Sequence, residues 1–493
     1  MKVNYGIFIF RKDLRIYDNR GLIKLSKLCK NIIPIFIFDP NQMVKNDINT
    51  NYLSYPALRF LCESIYDLSQ YIKNQNSHLY IFHGKPVTVL KYIITKLLNL
   101  NNFDINQIII GFNEDFTKYS LQRDNDIEKF CQKYNINICK NDDDSTLCSM
   151  KLLLKNDNMP YKQYGAFKKN ILLQKFNKID NSKINFINKK IYFDKLLDDN
   201  KLDKFWKTHL MQNYIPLQIG NRLSAINKLK NLKKFKNYMT MRDNLSYETT
   251  NLSAYLNFGL ISEREFYYSV KKELGINSQL INQIIWRDYY LTLLRYLDNA
   301  NSYIRHIDDR YNKLKWINTI PNKNSNNWKE WNLMMNSQTG FLIVDAAIKE
   351  LLITGYMHNR CRMIVGVFSV KYLLISPLCR YIGLNDWFSR YLIDCCTSQN
   401  KLNCQWVTEL DYPGKKFSPT NSVIAGRPMN ISNIMIKKWD NECKYIKKWL
   451  PHLNNIDNKI LYNWDTKYIT TIHPKPIFDA KDRYSQWIQL CKN

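Results

Sequence analysis

The stretch Thr339–Leu374, TGFLIVDAAIKELLITGYMHNRCRMIVGVFSVKYLL, predicts two apolar helices joined at Gly355, because a glycine there marks a helix stop. On the second helix Asn359, Arg362 and Met363 stand at positions i, i+3 and i+4, so their side chains share one face. An amide, a guanidinium and a thioether in a buried helix are costly unless a polar ligand satisfies them. The pattern therefore indicates a ligand site, and a hairpin with a few surface polar residues is the plain alternative.

Length and charge bound the possible functions. The 493 residues exceed one ordinary core and predict two domains. A net charge of +29 predicts attraction to a polyanion, nucleic acid first and an anionic membrane second, although lysines that only solvate the surface are an alternative. The 12 cysteines lack zinc spacing, and neither a signal peptide nor a membrane-length apolar run is present. We expect a soluble, monomeric protein of the nucleus or cytoplasm, with no metal and no membrane partner.

The first part of the chain alternates between strand and helix patterns. Predicted strands lie at Tyr5–Phe10, Asn31–Phe38, His78–Phe82 and Gln107–Gly111, and predicted helices at Gly21–Cys29, Tyr55–Ile72, Val87–Leu98 and Lys118–Lys133. This alternation predicts a parallel sheet with helices on both faces. No Gly-x-Gly-x-x-Gly or Walker loop follows a strand, so a phosphate-cradling nucleotide site is not indicated there.

The later part of the chain changes character. Residues from about 140 to 205 are polar and predict an irregular surface linker, and from about 206 onward the pattern is helical. We expect an α/β N-terminal domain over 1–135, an interdomain linker over 136–205 and an all-α domain over 206–493. The basic run Asn227–Asn237 is either a DNA-facing patch, a nuclear address or a solvated helix face.

Three further groups of residues are candidates for binding. Thr249, Thr250 and Ser253 gather hydroxyls and amides at a helix start, which suits an anion, although an ordinary helix cap is the alternative. A helical stripe that mixes aromatic, cationic and amide groups suits an extruded base better than a core. That stripe is formed by Gln283, Trp286, Arg287 and Tyr290. In a loop-like stretch, Asp394 is a carboxylate that could pair with Arg362, and Asn400 is an amide without a helical role.

Together these motifs resemble the photolyase/cryptochrome family of flavoproteins. The matching elements run in family order over essentially the whole chain: FRKDLRIYDN, FNEDFTKYSLQRD, PYKQYGAFKKN, TTNLSAYLNFG, IIWRDYY, TGFLIVDAA, TGYMHNRCRM, LID, QW, KKWLP and PKPI. MHNRCRM is most similar to the class I cyclobutane pyrimidine dimer photolyases. The resemblance implies a Rossmann-like antenna domain and a helical domain that holds FAD in a bent form.

The resemblance also implies an activity. Under blue light, reduced FAD would donate an electron to a cyclobutane pyrimidine dimer in UV-damaged DNA, the ring would split and the electron would return. A dimer is already poorly stacked, so extruding it costs less than extruding normal bases. A (6-4) photolyase and a cryptochrome-like blue-light photoreceptor without repair are the alternatives, with a non-catalytic DNA-binding flavoprotein as a third.

Site residues are carried over position by position. The cofactor contacts would be Tyr238, Thr249, Thr250, Asn251, Leu252, Ser253, Arg287, Asn359, Arg362, Asp394, Cys396 and Asn400. The DNA contacts would be Arg242, Gln283, Trp286, Tyr290, Asn359, Met363 and Trp406, with Gln283 and Asn359 also catalytic. Within these sets, Arg362 and Asp394 would form an ion pair beside the flavin ring.

Some positions depart from the family pattern. Gln283 stands where dimer photolyases carry glutamate and (6-4) photolyases carry glutamine, whereas Asn359 and Met363 replace the two histidines of the (6-4) enzymes. Because of Asn359 and Met363, repair of cyclobutane dimers is favoured over repair of (6-4) products. Asn251 replaces an arginine, and Cys396 replaces an aspartate. After Trp406 only Lys415, Phe417 and Pro419 match the family loop, which leaves DNA contacts there open.

The electron relay of the family is the largest departure. Trp316 matches its outermost tryptophan, Tyr381 is the candidate for the middle position, and Cys404 stands nearest the flavin. A thiol is a poor one-electron relay, so we predict slow or rerouted photoreduction of oxidised FAD. Tyr119 and Ser120 replace the amide and carboxylate of folate-binding members, which weakens the case for a folate antenna. A deazaflavin, a second flavin or no antenna pigment remain the options.

Overall fold

The structure, a computed structural model, describes residues 2–42, 53–100, 104–194, 217–296, 324–375, 384–396, 398–400, 402, 431 and 433–492. The chain divides into two compact units that each combine separate segments. The first unit comprises Met1–Lys45, Leu58–Lys236 and Leu252–Ala300, and the second comprises Asn46–Ala57, Asn237–Asn251 and Asn301–Asn493. The domain boundaries expected from the sequence stay a prediction.

Five parallel strands form the sheet of the first unit. They are β1 Val3–Phe10, β2 Cys29–Phe38, β3 Tyr80–His83, β4 Ile108–Asn113 and β5 Asn137–Asn141. Their order is β3-β2-β1-β4-β5, with Ile7 of the central strand opposite Ile33 on one side and Ile110 on the other. The predicted parallel sheet is confirmed. Strand β5 is not predicted from the sequence, because its segment NICKN has no apolar run.

Helices make up most of the remaining described structure. In chain order they are α1 Arg20–Leu28, α2 Tyr55–Lys73, α3 Pro86–Leu98, α4 Lys118–Lys133, α5 Tyr164–Leu173, α6 Arg222–Lys230, α7 Tyr238–Met241, α8 Ser253–Asn257, α9 Glu263–Leu274, α10 Gln279–Tyr296, α11 Asn326–Met335, α12 Leu342–Thr354, α13 Asn359–Val367, α14 Leu384–Tyr391, α15 Asn433–Trp439, α16 Lys444–Trp449, α17 Asn458–Tyr462 and α18 Ala480–Lys492. None of the described helices is both long and apolar enough to cross a membrane.

The stretch after β5 is more ordered than the sequence predicts. It contains α5, and its later residues Ile187, Ile191 and Phe193 are buried in the core of the sheet. The Phe193 ring lies 5.2 Å from the ring of Tyr80, between ring centroids. The expectation of an irregular surface linker is therefore wrong for these residues, because isolated apolar side chains in a polar stretch pack on the sheet without forming a recognisable period.

The motif FRKDLRIYDN folds into a buried polar network within the first unit. Asn19 caps α1 by accepting a hydrogen bond from the backbone N–H of Leu22. Arg15 donates to Asp144 at 2.8 Å, and the fully buried Arg264 of α9 donates to Asp18 at 2.7 Å. Because the buried charges of Arg15 and Asp18 are each paired with an opposite charge, this motif has a structural role in the fold.

The second unit is helical, and α12 lies at its centre. The helix is apolar on nearly all sides, with Ile343, Ala347 and Leu351 fully buried. Asp345 in its first turn accepts hydrogen bonds from the backbone N–H groups of Thr339 and Gly340, both at 2.8 Å. These hydrogen bonds fix the start of α12. The burial of its side chains along the helix fixes the position of its other end.

Candidate functional site

The hairpin of α12 and α13 has the geometry that its sequence predicts. Gly355 follows α12 with φ of 68°, the left-handed conformation that stops a helix, and its N–H donates to the carbonyl of Leu351. His358 caps α13, with its Nδ1 accepting a hydrogen bond from the backbone N–H of Arg360 at 3.2 Å. The chain therefore turns sharply within four residues, and the first turn of α13 presents Asn359 and Arg362.

Arg362 and Asp394 form an ion pair in the second unit. Arg362 Nη2 donates to Asp394 Oδ2 at 2.8 Å, and Arg362 Nε donates to the carbonyl of Met357 at 2.8 Å. The Arg362 side chain is 20% exposed and that of Asp394 is 5% exposed. Burial alone would lower the pKa of Arg362, but the Asp394 charge and hydrogen bond more than offset it, and this pKa rises. The predicted pairing of the two residues is confirmed.

Tyr356 completes this part of the site, although nothing in its sequence motif singles it out. Its hydroxyl lies 3.0 Å from Thr249 Oγ1, and the Arg362 guanidinium lies 5.5 Å from its ring centroid. Burial raises the pKa of Tyr356, so the phenol stays protonated. Through this contact Thr249, one of the residues predicted to bind the cofactor, lies near the ion pair, although it is 107 positions from Tyr356 in the sequence.

The hydroxyl-rich segment is a turn that leads into a short helix. In the second unit Thr249 Oγ1 donates to Asn251 Oδ1 at 3.4 Å, and Asn251 has a positive φ of 50°. Thr250 is half-buried. In the first unit Leu252 precedes the five-residue helix α8, whose first residue Ser253 is exposed.

The stretch after the ion pair contains two of the candidate residues. Asn400 Nδ2 donates to Cys395 Sγ at 2.9 Å, and Cys396 Sγ lies 3.1 Å from Ser398 Oγ. The amide of Asn400 is therefore held by the thiol five residues earlier in the chain, and Asn400 itself is helical, although the sequence predicts a loop there. None of the nine cysteines whose side chains the structure describes forms a disulfide.

Charged groups surround the exposed edge of α13. Arg360 donates to Asp243 Oδ1 from two nitrogens, at 2.9 and 2.7 Å, and its third nitrogen contacts Met363 Sδ at 3.1 Å. Arg242 is half-exposed and lies 3.9 Å from the same carboxylate. Burial raises the pKa of the half-buried Tyr238. The structure thus brings together residues of the 237–251 segment and of α13.

Within the first unit, α10 carries the predicted aromatic stripe. The Trp286 ring lies flat on the ring of Tyr164, with 3.5 Å between centroids and 5° between planes, and Tyr290 lies 5.5 Å from Trp286. Arg287 donates to Glu263 at 2.9 Å, and Gln283 is exposed. Tyr164 could not be predicted as part of this stripe, because neither of the two tyrosines in PYKQYGAFKKN gives a sign of the ring that it meets.

The two residues at the expected antenna position are hydrogen-bonded within the first unit. The Tyr119 hydroxyl donates to Asp39, and Ser120 Oγ donates to Asp115 Oδ2 at 3.0 Å. Burial, with the hydrogen bond to Asp39, raises the pKa of Tyr119. The relay residues Trp316, Tyr381 and Cys404 lie outside the described residues, as do Trp406 and the loop residues Lys415, Phe417 and Pro419.

Two family profiles match the chain along most of its length. The profile of DNA photolyase matches residues 7–182, and that of the FAD binding domain of DNA photolyase matches residues 280–493. The chain belongs to the photolyase/cryptochrome family. Together the two profiles cover the sheet of the first unit and the segment that contains the ion pair.

Curated members of this family are similar over nearly the full length. The deoxyribodipyrimidine photo-lyase of Buchnera aphidicola is 28% identical, over 98% of this chain and 96% of that protein. The enzyme of the same name from Escherichia coli is 23% identical, over 96% of this chain and 95% of that protein. The (6-4)DNA photolyase of Arabidopsis thaliana is 23% identical, over 92% of this chain and 80% of that protein.

Solved structures of photolyases and cryptochromes share the fold. The archaeal photolyase from Sulfolobus tokodaii, described with two FAD molecules, is 26% identical, has a TM-score of 0.79 and is matched over 99% of this chain and 100% of that chain. The Synechocystis cryptochrome is 20% identical, with a TM-score of 0.76 over 99% of this chain and 100% of that chain.

The donors beside the ion pair fit the FAD that this family binds. Arg362 uses Nε and Nη2 within the protein, and its Nη1 has no hydrogen-bond partner among the described residues. A partly exposed guanidinium with an unused N–H, held in place by a buried carboxylate, suits a planar ligand with carbonyl and ring-nitrogen acceptors. The chemistry of these residues is therefore compatible with a flavin ring.

Proposed function

We propose that this chain is a light-dependent DNA repair enzyme that splits cyclobutane pyrimidine dimers. Its FAD, when bound and reduced, supplies the electron that opens the cyclobutane ring. The observation that carries the proposal is the ion pair that Asp394 forms with Arg362, because the helix of Arg362 also presents Asn359 and Met363. Relatives named deoxyribodipyrimidine photo-lyase support the activity, since they match 98% and 96% of this chain.

The residues of the second unit have distinct roles in holding the cofactor. Asp394 orients Arg362, whose unused N–H and positive charge bind the acceptor edge of the flavin. Asn400 positions an amide for the ring, held from behind by Cys395. The other proposed cofactor contacts are Tyr238, Thr249, Thr250, Asn251, Asn359 and Cys396 in the second unit and Leu252, Ser253 and Arg287 in the first.

Other residues bind the extruded lesion. The flat indole of Trp286 offers a face on which a base can stack, and Met363 adds a polarisable apolar contact. Asn359 and Gln283 are exposed amides that can donate to base edges. Tyr290 and Trp406, of which Trp406 lies outside the described residues, are the other proposed aromatic contacts, and Arg242 would bind a DNA phosphate.

The choice of lesion depends on two sets of positions. Gln283 favours the (6-4) alternative, since (6-4) photolyases carry glutamine there, and a (6-4)DNA photolyase is among the relatives. Asn359 and Met363 favour dimer repair, because neither side chain can act as the histidine acid of a (6-4) enzyme. We give more weight to the two positions on α13, which lie within three residues of Arg362.

One repair assay tests the function and its alternatives together. Purified, reduced protein is incubated under blue light with oligonucleotides that carry either a cyclobutane dimer or a (6-4) product, with dark samples as controls. We expect restoration of the dimer alone. Restoration of the (6-4) product alone would establish the second activity, and restoration of neither lesion would reject the enzyme in favour of a photoreceptor or a DNA-binding flavoprotein.

The antenna pigment has a separate test. Tyr119 and Ser120 replace the groups that folate-binding members use, and both hydroxyls already have carboxylate partners in this protein. We propose that folate is not the second chromophore. Chromatography of the pigments released from purified protein should yield FAD and no folate, and the recovery of stoichiometric folate would contradict this.

A further inference from the structure

Glu350 is a buried acid that the proposed chemistry does not use. It lies on α12 and is 6% exposed. Its Oε2 accepts hydrogen bonds from the backbone N–H of His358 at 3.1 Å and from the hydroxyl of Tyr445 at 2.6 Å. Both partners are fixed, one by the cap of α13 and the other by the packing of α16 against α12. The Glu350 carboxylate is therefore hydrogen-bonded to the peptide group that directly precedes α13, the helix of Arg362.

A single peptide unit joins Glu350 to Arg362. The N–H of this unit, from His358, donates to Glu350, and its carbonyl, from Met357, accepts from Arg362 Nε at 2.8 Å. Arg362 Nη2 then donates to Asp394 at 2.8 Å. Hydrogen bonds in such a chain polarise one another, so an anion at the N–H end makes the carbonyl a stronger acceptor.

We propose that Glu350 is a positioning residue, which acts through the peptide between Met357 and His358 to hold Arg362 against Asp394, and that its ionisation makes this hold depend on pH. The inference rests on the proposed function only in placing Arg362 beside the flavin. The hydrogen-bond chain itself lies entirely within the second unit.

Glu350 is the member of its cluster that titrates near neutral pH. Burial raises the pKa of Glu350 to about 7, against hydrogen bonds from Tyr445 and His358 and the charges of Lys448 and Arg362, which lower it. Burial, with the charges of Arg362 and Arg360, lowers the pKa of the His358 imidazole to about 4.

Three further titratable groups near Glu350 stay neutral. They are Tyr356, Cys361 on α13 and Tyr445 on α16, and burial raises the pKa of each. A change of charge near neutral pH therefore belongs to the carboxyl group. As pH falls, the neutral acid polarises the peptide less, and Arg362 is held less firmly.

The first test follows Arg362 directly, without FAD. Protein labelled with ¹⁵N-arginine is titrated from about pH 5.5 to about pH 8.5, and the Arg362 Nε–H signal is assigned by its loss in Arg362→Lys. We expect the shift of this signal to titrate with an inflection near neutral pH. The inflection should vanish in Glu350→Gln, whose amide oxygen still accepts hydrogen bonds but cannot ionise.

Two further variants separate positioning from general destabilisation. Tyr445→Phe removes a hydrogen bond that lowers the pKa of Glu350, so the inflection should move to higher pH. Glu442→Gln changes an exposed acid beside Lys444 in the same unit and should leave the curve unchanged. Thermal unfolding confirms that each variant is folded. An inflection that persists in Glu350→Gln, or that stays in place in Tyr445→Phe, would overturn the proposal.

The second test measures the effect on the cofactor. The dissociation constant of FAD should rise about fivefold from the alkaline to the acidic side of the inflection in the wild-type protein, and should be flat in Glu350→Gln. Failure to bind FAD at every pH would defeat the proposed function and leave the arginine titration to decide this inference. A third outcome is that FAD binds firmly and the Arg362 signal titrates, but the affinity for FAD does not depend on pH. Glu350 would then position Arg362 only in the protein without FAD, and the proposed link to the cofactor would be refuted.

Discussion

Asp394 is the residue whose removal should affect the cofactor most. Its side chain is 5% exposed and holds Arg362 at 2.8 Å. In Asp394→Asn the guanidinium loses its counter-charge and its fixed orientation, and breaking a buried ion pair typically costs about 3–5 kcal/mol, less where one partner is partly exposed. We expect at least a tenfold loss of FAD affinity (about 1.4 kcal/mol). The protein should therefore retain less FAD through purification, which the ratio of flavin to protein absorbance measures.

A matched ion pair in the same unit serves as the control for Asp394→Asn. Glu330 and Arg483 have side-chain exposures of 13% and 18%. Glu330→Gln breaks a pair of similar burial, so it should cost similar stability and leave FAD retention unchanged. Equal loss of flavin in both variants would show that the ion pair of Asp394 acts only on stability.

Trp286 is the residue with the largest expected effect on lesion binding. Its ring lies flat on Tyr164, which fixes the indole plane before any base arrives. Stacking of a base on an aromatic side chain contributes about 1–3 kcal/mol, so Trp286→Ala should weaken binding to dimer-containing DNA by roughly tenfold or more. Fluorescence anisotropy measures the affinity. Tyr164→Phe keeps the supporting ring and should bind normally, and an unchanged Trp286→Ala would exclude this face from the lesion site.

Residue identity and residue partners differ in how well the sequence predicts them. Asp394 and Arg362 carry opposite charges and lie in two motifs that match the family pattern, so their pairing could be expected. The contacts of Glu350, Tyr356 and Tyr164 could not, because each depends on packing between segments that are remote in sequence and leaves no periodic signal. The sequence identifies the polar groups at the site better than the groups that hold them in position.

At the scale of elements, the turn at Gly355 determines where α13 begins. Its φ of 68° is strained for any residue with a Cβ, and an added Cβ would meet Ile393 Cγ2 at 2.8 Å and Pro56 Cβ at 2.9 Å. We therefore expect Gly355→Ala to lower the free energy of unfolding by about 2 kcal/mol or more and to reduce FAD retention, since Arg362 lies seven residues on.

Gly165 offers a matched control for Gly355→Ala. It lies in the first turn of α5, and an added Cβ would meet no atom within 4 Å. Gly165→Ala should stabilise the protein by about 0.5–1 kcal/mol through helix propensity. Thermal or urea unfolding of both variants checks the comparison. Equal stability of the two would mean that the conformation at Gly355 is not required for the hairpin.

Elements were predictable in proportion to the strength of their hydrophobic pattern. The four apolar strands and the hairpin of α12 and α13 have continuous apolar runs and are confirmed. The edge strand β5, with Lys140 and Asn141, pairs on one side only and needs little apolar surface, so its sequence resembles a loop. The burial of Phe193 could not be predicted either, because it depends on the sheet against which the ring packs.

At the scale of the whole molecule, ion pairs within the chain cannot neutralise the net charge of +29, because each pair contains one charge of each sign. The positive side chains include strongly exposed lysines, such as Lys233 and Lys272, whose side chains are 81% and 82% exposed. Such charges attract any DNA backbone, damaged or not. Selectivity for the lesion must therefore come from the aromatic and amide groups of the site, and the two contributions should respond differently to salt.

Salt dependence separates the two contributions to DNA binding. Each neutralised phosphate adds about 0.9 to the slope of log affinity against log salt, so three contacts would weaken binding roughly fortyfold between about 50 mM and about 200 mM salt. Undamaged DNA should lose affinity with the same slope, since its backbone is the same. Because stacking and base contacts release no counterions, the ratio of affinities for dimer-containing and undamaged DNA should stay nearly constant. Arg242→Ala should reduce both slopes by about one. A ratio that collapses as salt rises would show instead that backbone charge supplies the selectivity.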